Sequence, residues 1–194
     1  MKLWKWPAIL FLLGSLCLAM AFGAAAQQRS LSGKLIRLHV VANSDAPEDQ
    51  AVKLLARDRV MEILQAQNWQ DRDEAAAWLT AHEDELRAAA EAPLPPGQTA
   101  AVTLSEESFS TRRCDAVALP AGRYLTLRIR LGAGEGHNWW CVVYPALCAS
   151  AAGEPERTAK AAGLDDGEIR LMTGDTPAVR IRFRLLEWLN WEGR

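Results

Sequence analysis

The chain of 194 residues is poor in the residues from which familiar active sites are built: three histidines and four cysteines, none of the latter spaced as CxxC. That spacing excludes a zinc ribbon or finger, and no metal is expected. There is no Asp-Thr/Ser-Gly, no GxSxG and no HExxH, so no aspartic protease, α/β-hydrolase or zincin motif is present. A basic excess is lacking too. Lys and Arg number 22 against 24 Asp and Glu, for a net charge of −2. That argues against a nucleic-acid partner, which would need a basic face. The glycine cluster Gly132-Ala133-Gly134-Glu135-Gly136 lacks the Lys-Ser/Thr of a phosphate loop and precedes a strand pattern rather than a helix. It reads as a flexible hairpin loop, and no cofactor is expected.

What is present begins with an export signature. Lys2 and Lys5 precede an uncharged run from Trp6 to Ala26, with small-residue sites at Ala19-Met20-Ala21 and Ala24-Ala25-Ala26. The pattern predicts cleavage between about Gly23 and Ser30. The alternative is an uncleaved anchor, since about 20 apolar residues suffice to span a bilayer. Residues 1–26 are thus a signal peptide or membrane anchor, with any membrane contact made through them. Residues 27–194 form one exported domain, whose charge becomes −4 once the two lysines leave.

The period of the apolar residues then predicts the elements. Leu35 to Val41 is a strand. Asn43, Ser44 and Asp45 are helix-capping residues, and Asp45 with Glu48 has a capping-box shape. A helix from Pro47 to about Gln67 has an apolar face of Val52, Leu55, Ala56, Val60, Ile63 and Leu64, with Asp49 and Lys53 paired outside. A second helix from Asp71 carries Ala75, Trp78, Leu79, His82, Leu86, Ala89 and Ala90, and ends at Pro93 to Gly97. The period then changes to two. Strands are predicted around Ala100–Leu104, Tyr124–Leu131, Trp139–Tyr144 and Val179–Leu185, the last with Arg180, Arg182 and Arg184 on one face, before a short terminal helix. Residues 149–177 read as a flexible loop with one short piece near Ile169 to Met172. The fold class is α+β: an N-terminal apolar helix, then one strand, two helices on one face, and a mainly antiparallel sheet.

Several residues invite chemistry. Cys141, His137 and Asp115 could be assembled into a thiol hydrolase, but Cys141 lies inside an apolar strand, where a packed or disulfide-bonded sulfur is expected. Cys17 falls in the N-terminal segment, leaving Cys114, Cys141 and Cys148. Residues seven apart span roughly 23–25 Å when extended, and a disulfide needs Cα atoms within about 7 Å. A Cys141–Cys148 bridge therefore requires a reversal near Pro145. Disulfides persist outside the cytoplasm, so the bridge is favoured over two packed thiols, with Cys114 as the odd thiol. His39 and His82 read as hydrogen-bonded structural histidines. Asp45, Glu48 and Asp49 are too few for a calcium loop.

Two segments carry a resemblance. Arg37-Leu38-His39-Val40-Val41-Ala42-Asn43-Ser44-Asp45, with Asp49 and Gln50, is the first; Asn138-Trp139-Trp140-Cys141-Val142-Val143-Tyr144-Pro145-Ala146-Leu147-Cys148 is the second. Together they resemble the stage II sporulation protein R family. The resemblance implies a protein made in the forespore and exported into the space between forespore and mother-cell membranes. There it would trigger a membrane-embedded aspartic protease of the mother cell, of the stage II sporulation protein GA type, which processes the sigma E precursor. It implies a signal and no catalytic residues. The expected partner-binding residues are His39, Asn43, Ser44, Asp45, Asp49 and Gln50, with Asn138, Trp139 and Trp140. An exported envelope hydrolase or a passive envelope-binding domain are the competing classes.

Overall fold

The computed structural model describes residues 5–114, 117–147 and 155–173. The chain opens with helix α1 (Lys5–Lys34), which passes directly into strand β1 (Ile36–Val41). Three helices follow, α2 (Pro47–Gln65), α3 (Arg72–Ala81) and α4 (Glu83–Glu91). Then come β2 (Ala100–Phe109), the short β3 (Arg112–Cys114) and β4 (Val117–Leu119), β5 (Gly122–Leu131) and β6 (Asn138–Tyr144). Helices α5 (Pro155–Ala161) and α6 (Asp166–Thr173) complete the described part. The main sheet has the order β2-β5-β1-β6. β1 is parallel to β5 and antiparallel to β6, and β2 is antiparallel to β5. The α+β class and the mainly antiparallel sheet are as expected.

Alternation sends Ile36, Leu38 and Val40 to one face of β1 and Arg37, His39 and Val41 to the other. The first face packs with Leu127, Ile129, Cys141 and Val143 under α2, α3 and α4, through Ala56, Val60, Leu64, Ala75, Leu79, Leu86 and Ala90. Three corrections arise here. Leu55 is 55% exposed, and Lys53, expected outside, is buried. The predicted second helix is two, divided at His82, whose ring stacks on Trp78 at 4.0 Å and whose Nδ1 meets the Trp78 carbonyl at 2.8 Å. Asp71 does cap α3 as expected, its Oδ1 accepting from the Glu74 N–H at 2.8 Å.

The opposite face is covered at one end by α1, α5 and α6; α6 is the short piece expected near Ile169 to Met172, whereas α5 and the packing of the end of α1 on the sheet were not expected. Leu31 of α1 and the adjoining Leu35 bury with Leu119, Tyr124, Val142, Leu147, Ala159, Leu164, Ile169 and Met172. The expected loop over 149–177 therefore contains two helices. Their apolar residues are few but are spaced to fill this second core. The predicted strand at 179–185, the terminal helix and Asp115 lie outside the described residues, as does Cys148. Cys141 is a free, buried thiol whose Sγ stands 3.9 Å from Met61 Sδ in the helix-side core. The expected pairing with Cys148 involves a residue outside the described ones.

Candidate functional site

The two motif segments meet. β6 lies beside β1 with His39 opposite Trp140, Val40 opposite Trp139 and Val41 opposite Asn138. Because β5 and β6 flank β1, residues 132–137 do not form a hairpin. They cross the end of β1 as a strap, which corrects the loop expected there.

The strap is tied to the Asn43-Ser44-Asp45 turn by the strap's own backbone donors. Gly136 N–H bonds the Ala42 carbonyl at 3.0 Å and Glu135 N–H the Asn43 carbonyl at 3.1 Å. Ala133 N–H bonds Asn43 Oδ1 at 2.9 Å, and His137 N–H bonds Asp45 Oδ1 at 2.6 Å. The His137 ring Nδ1 also contacts that Asp45 oxygen. A Cβ at Gly136 would stand 2.1 Å from the Ser44 carbonyl oxygen, and one at Gly132, where φ is +54°, would stand 2.3 Å from Asn43 Oδ1. The glycines of the cluster thus serve close backbone approach, not phosphate binding.

Asp49 holds the turn from below. Its Oδ2 accepts from Asn43 Nδ2 at 2.8 Å and from Ser44 Oγ at 2.6 Å. These two bonds, the Ser44 one first, lower the Asp49 carboxyl below its ordinary pKa. Gln50 Nε2 bonds the Ser44 carbonyl at 2.9 Å, and Lys53 Nζ reaches Gln50 Oε1 at 2.5 Å and the His137 carbonyl at 3.0 Å. Burial pushes the Lys53 ammonium pKa down, an effect that Asp45 opposes. Asp45 itself is lowered by the His137 backbone N–H and then by the His137 ring. The expected helix cap is not what these residues form. Ala46 is the N-cap of α2 and makes no side-chain cap bond. Pro47 follows it and has no N–H to satisfy. Nor are Asp49 and Lys53 paired.

The open face of the sheet continues the site. His39 is only 6% exposed. Its Nε2 meets Asn138 Nδ2 at 2.8 Å, and its Nδ1 faces Glu107 at 3.4 Å. Glu107 also pairs with Arg128 at 3.3 Å. One strand position back, the buried Arg37 guanidinium sits over Phe109 at 3.7 Å, Trp140 at 4.7 Å and Tyr124 at 5.1 Å. Burial pushes the Tyr124 phenol up to about 12, and its hydroxyl donates to the Pro120 carbonyl at 2.7 Å. Trp139 faces the helices instead, with Arg57 over its ring at 4.8 Å. The two tryptophans of the motif therefore serve opposite faces.

All nine expected partner-binding residues except Trp139 thus lie on the tip or on the open face beside it. Sequence reasoning missed Lys53, Glu107, Arg128 and His137, whose partners come from distant strands. The thiol-hydrolase grouping is not assembled, since Cys141 is buried in the helix-side core while the His137 ring is 79% exposed against Asp45. Among the described residues, no cluster of three or more His, Cys, Asp or Glu side chains could hold a metal ion.

Comparison with known proteins gives the lineage of this site. A family model described as Stage II sporulation protein R matches residues 32–154. The chain is 34% identical over 118 residues to Stage II sporulation protein R of Bacillus subtilis (strain 168), a stretch covering 58% of this chain and 53% of that protein. It thus spans about half the length of that curated relative. No solved structure matches. The family model covers more than half of the chain and takes in the turn, the strap and both motif strands, so the chain belongs to the stage II sporulation protein R family.

Proposed function

We propose that this protein is an intercompartmental sporulation signal. It is exported from the forespore into the space between the two membranes. There it activates a membrane-embedded aspartic protease of the stage II sporulation protein GA type, which processes the sigma E precursor. The protein itself carries out no catalysis in this scheme. Family membership supports the sporulation role. The observation that carries the signalling reading is the tip, where both motif segments converge on a turn and strap fastened by internal hydrogen bonds. Asp45 and His137 remain 57% and 79% exposed there. Loops held on a rigid scaffold are where proteins commonly place recognition groups. A preorganised polar turn loses little entropy on binding, which suits a ligand that must engage a receptor.

The test is co-expression of the exported protein with the protease and the sigma pro-form in a host lacking all three. Processing that depends on this protein supports the reading. Processing that proceeds equally without it, or never occurs with all three present and folded, refutes it.

A further inference from the structure

We propose that α1 is retained as a membrane anchor and that the domain stands upright on an anionic bilayer, with the Gly122 end of its sheet at the lipid and the Asn43–His137 tip at the far end. This concerns the protein's relation to lipid and holds whichever protein the tip engages.

The first support is length. The uncharged run from Trp6 to Ala26, at 1.5 Å per residue, is about 31 Å long, against a hydrocarbon core of about 30 Å. Its large side chains are bare: Leu10 is 67% exposed, Phe11 75% and Phe22 68%. A soluble domain has no reason to keep such a rod.

The second support is continuity. α1 is one helix from Lys5 to Lys34, and its last turns belong to the fold. Leu31 and the adjoining Leu35 are fully buried. Ser30 Oγ and Lys34 Nζ each reach the buried Glu168 carboxylate at 2.7 Å. Gln27 and Gln28 lie against Gly167 and Gly122, where an added Cβ would come within 2.6 Å and 3.3 Å of their Nε2 atoms. The docked segment therefore starts where the apolar run stops, with no linker between them. The small-residue sites at Ala19–Ala21 and Ala24–Ala26 fall inside this helix.

The third support is direction. Gly122 pairs with Phe109 at one end of the sheet, and Leu131 pairs with Ala100 at the other. Gln28 touches the first end; the strap over Asn43 follows the second. A ten-residue strand at 3.3 Å per residue separates them by about 33 Å. Exposed Arg29, Arg112 and Arg123 lie at the Gly122 end, where they suit anionic headgroups. A signal fixed in this way faces away from its own membrane, toward whatever lies opposite.

Two measurements test it. Mass spectrometry of the exported native protein should find residues 1–26 still attached, in a fraction that resists alkaline extraction from membranes. A soluble form starting between Gly23 and Ser30 would overturn the proposal. For orientation, the full chain with Cys17, Cys114 and Cys148 changed to Ser and Cys141 to Ala is placed in phosphatidylglycerol-containing vesicles. A fluorophore is attached at Arg123→Cys or at Glu135→Cys. Headgroup spin-labelled lipid should quench the first several-fold more than the second. Equal or reversed quenching would overturn the orientation, and Arg112→Cys replaces Arg123→Cys if that variant does not fold.

Discussion

The two ends of the sheet are built from different forces. At the Gly122 end, α1 is held by burial of Leu31 and Leu35 among α5, α6 and β5, and by one enclosed carboxylate. At the other end, the turn and strap are held almost wholly by hydrogen bonds among polar groups that stay near water. Burial is strong and insensitive to detail, whereas a hydrogen-bonded latch contributes little net energy but fixes geometry. The contrast teaches that stability resides at the foot and shape at the tip. The open face between them, with His39 set against Glu107 and Asn138, belongs energetically to the sheet and chemically to the tip.

Breaking the foot should have the largest effect. Leu31→Ala should cost about 3 kcal/mol, as for other large-to-small core changes, and thermal unfolding should report it. Signalling should then fall only in proportion to the folded fraction. Glu168→Gln should cost about 2 kcal/mol, the order of a hydrogen bond to a charged group. Burial alone would raise the Glu168 pKa, but Lys34, the Asp165 N–H and Ser30 hold it below its ordinary 4.5. Folding therefore favours the ionised form. This contribution is complete above pH 4.5 and is lost as pH falls through the lower folded value. Acid unfolding curves should show that slope in the native protein and a shallower one in Glu168→Gln.

The tip should yield smaller losses of stability and larger losses of shape. Gly136→Ala would place its Cβ 2.1 Å from the Ser44 carbonyl oxygen, so the strap must lift. A cost of about 1–2 kcal/mol is expected, with faster amide exchange at residues 133–137 and none at Leu31. Asn43→Ala removes one bond to Asp49 and one from Ala133 N–H. It should cost about 1 kcal/mol, measured by denaturant titration. A foot-sized loss from Asn43→Ala would erase the distinction between the two ends.

Much of this was legible in the chain. Alternation located β1, β5 and β6, and the capping pair Asp71 and Glu74 located α3. The two motifs together carry the family resemblance, and β1–β6 pairing joins them. What was not legible depends on residues far apart in sequence. Lys53 and Glu168 are charged and so read as surface, yet each is buried by polar partners from other elements. Asn43, Ser44 and Asp45 match the chemistry of a helix cap. Only the crossing of β5 to β6 over β1 supplies the backbone N–H groups that Asn43 and Asp45 take instead. The Gly132–Gly136 spacing was visible, but its meaning required Asn43 and Ser44 as the opposing surface. Helices α5 and α6 carry too few apolar residues to announce a core, and Leu31 that completes it lies in the short stretch between the export segment and β1.

The division between foot and tip is tested most directly at Asp45, whose carboxylate is exposed and joins the turn to His137. The fold lowers its pKa, so its ionised form is the one that the latch holds, fully so above the ordinary carboxylate range. The measurement is sigma-precursor processing by Asp45→Asn at neutral pH, set beside its melting temperature. The account predicts that processing is largely lost while the melting temperature barely moves. Processing that falls only as far as stability falls, or is retained in full, would contradict it and place the signalling surface elsewhere.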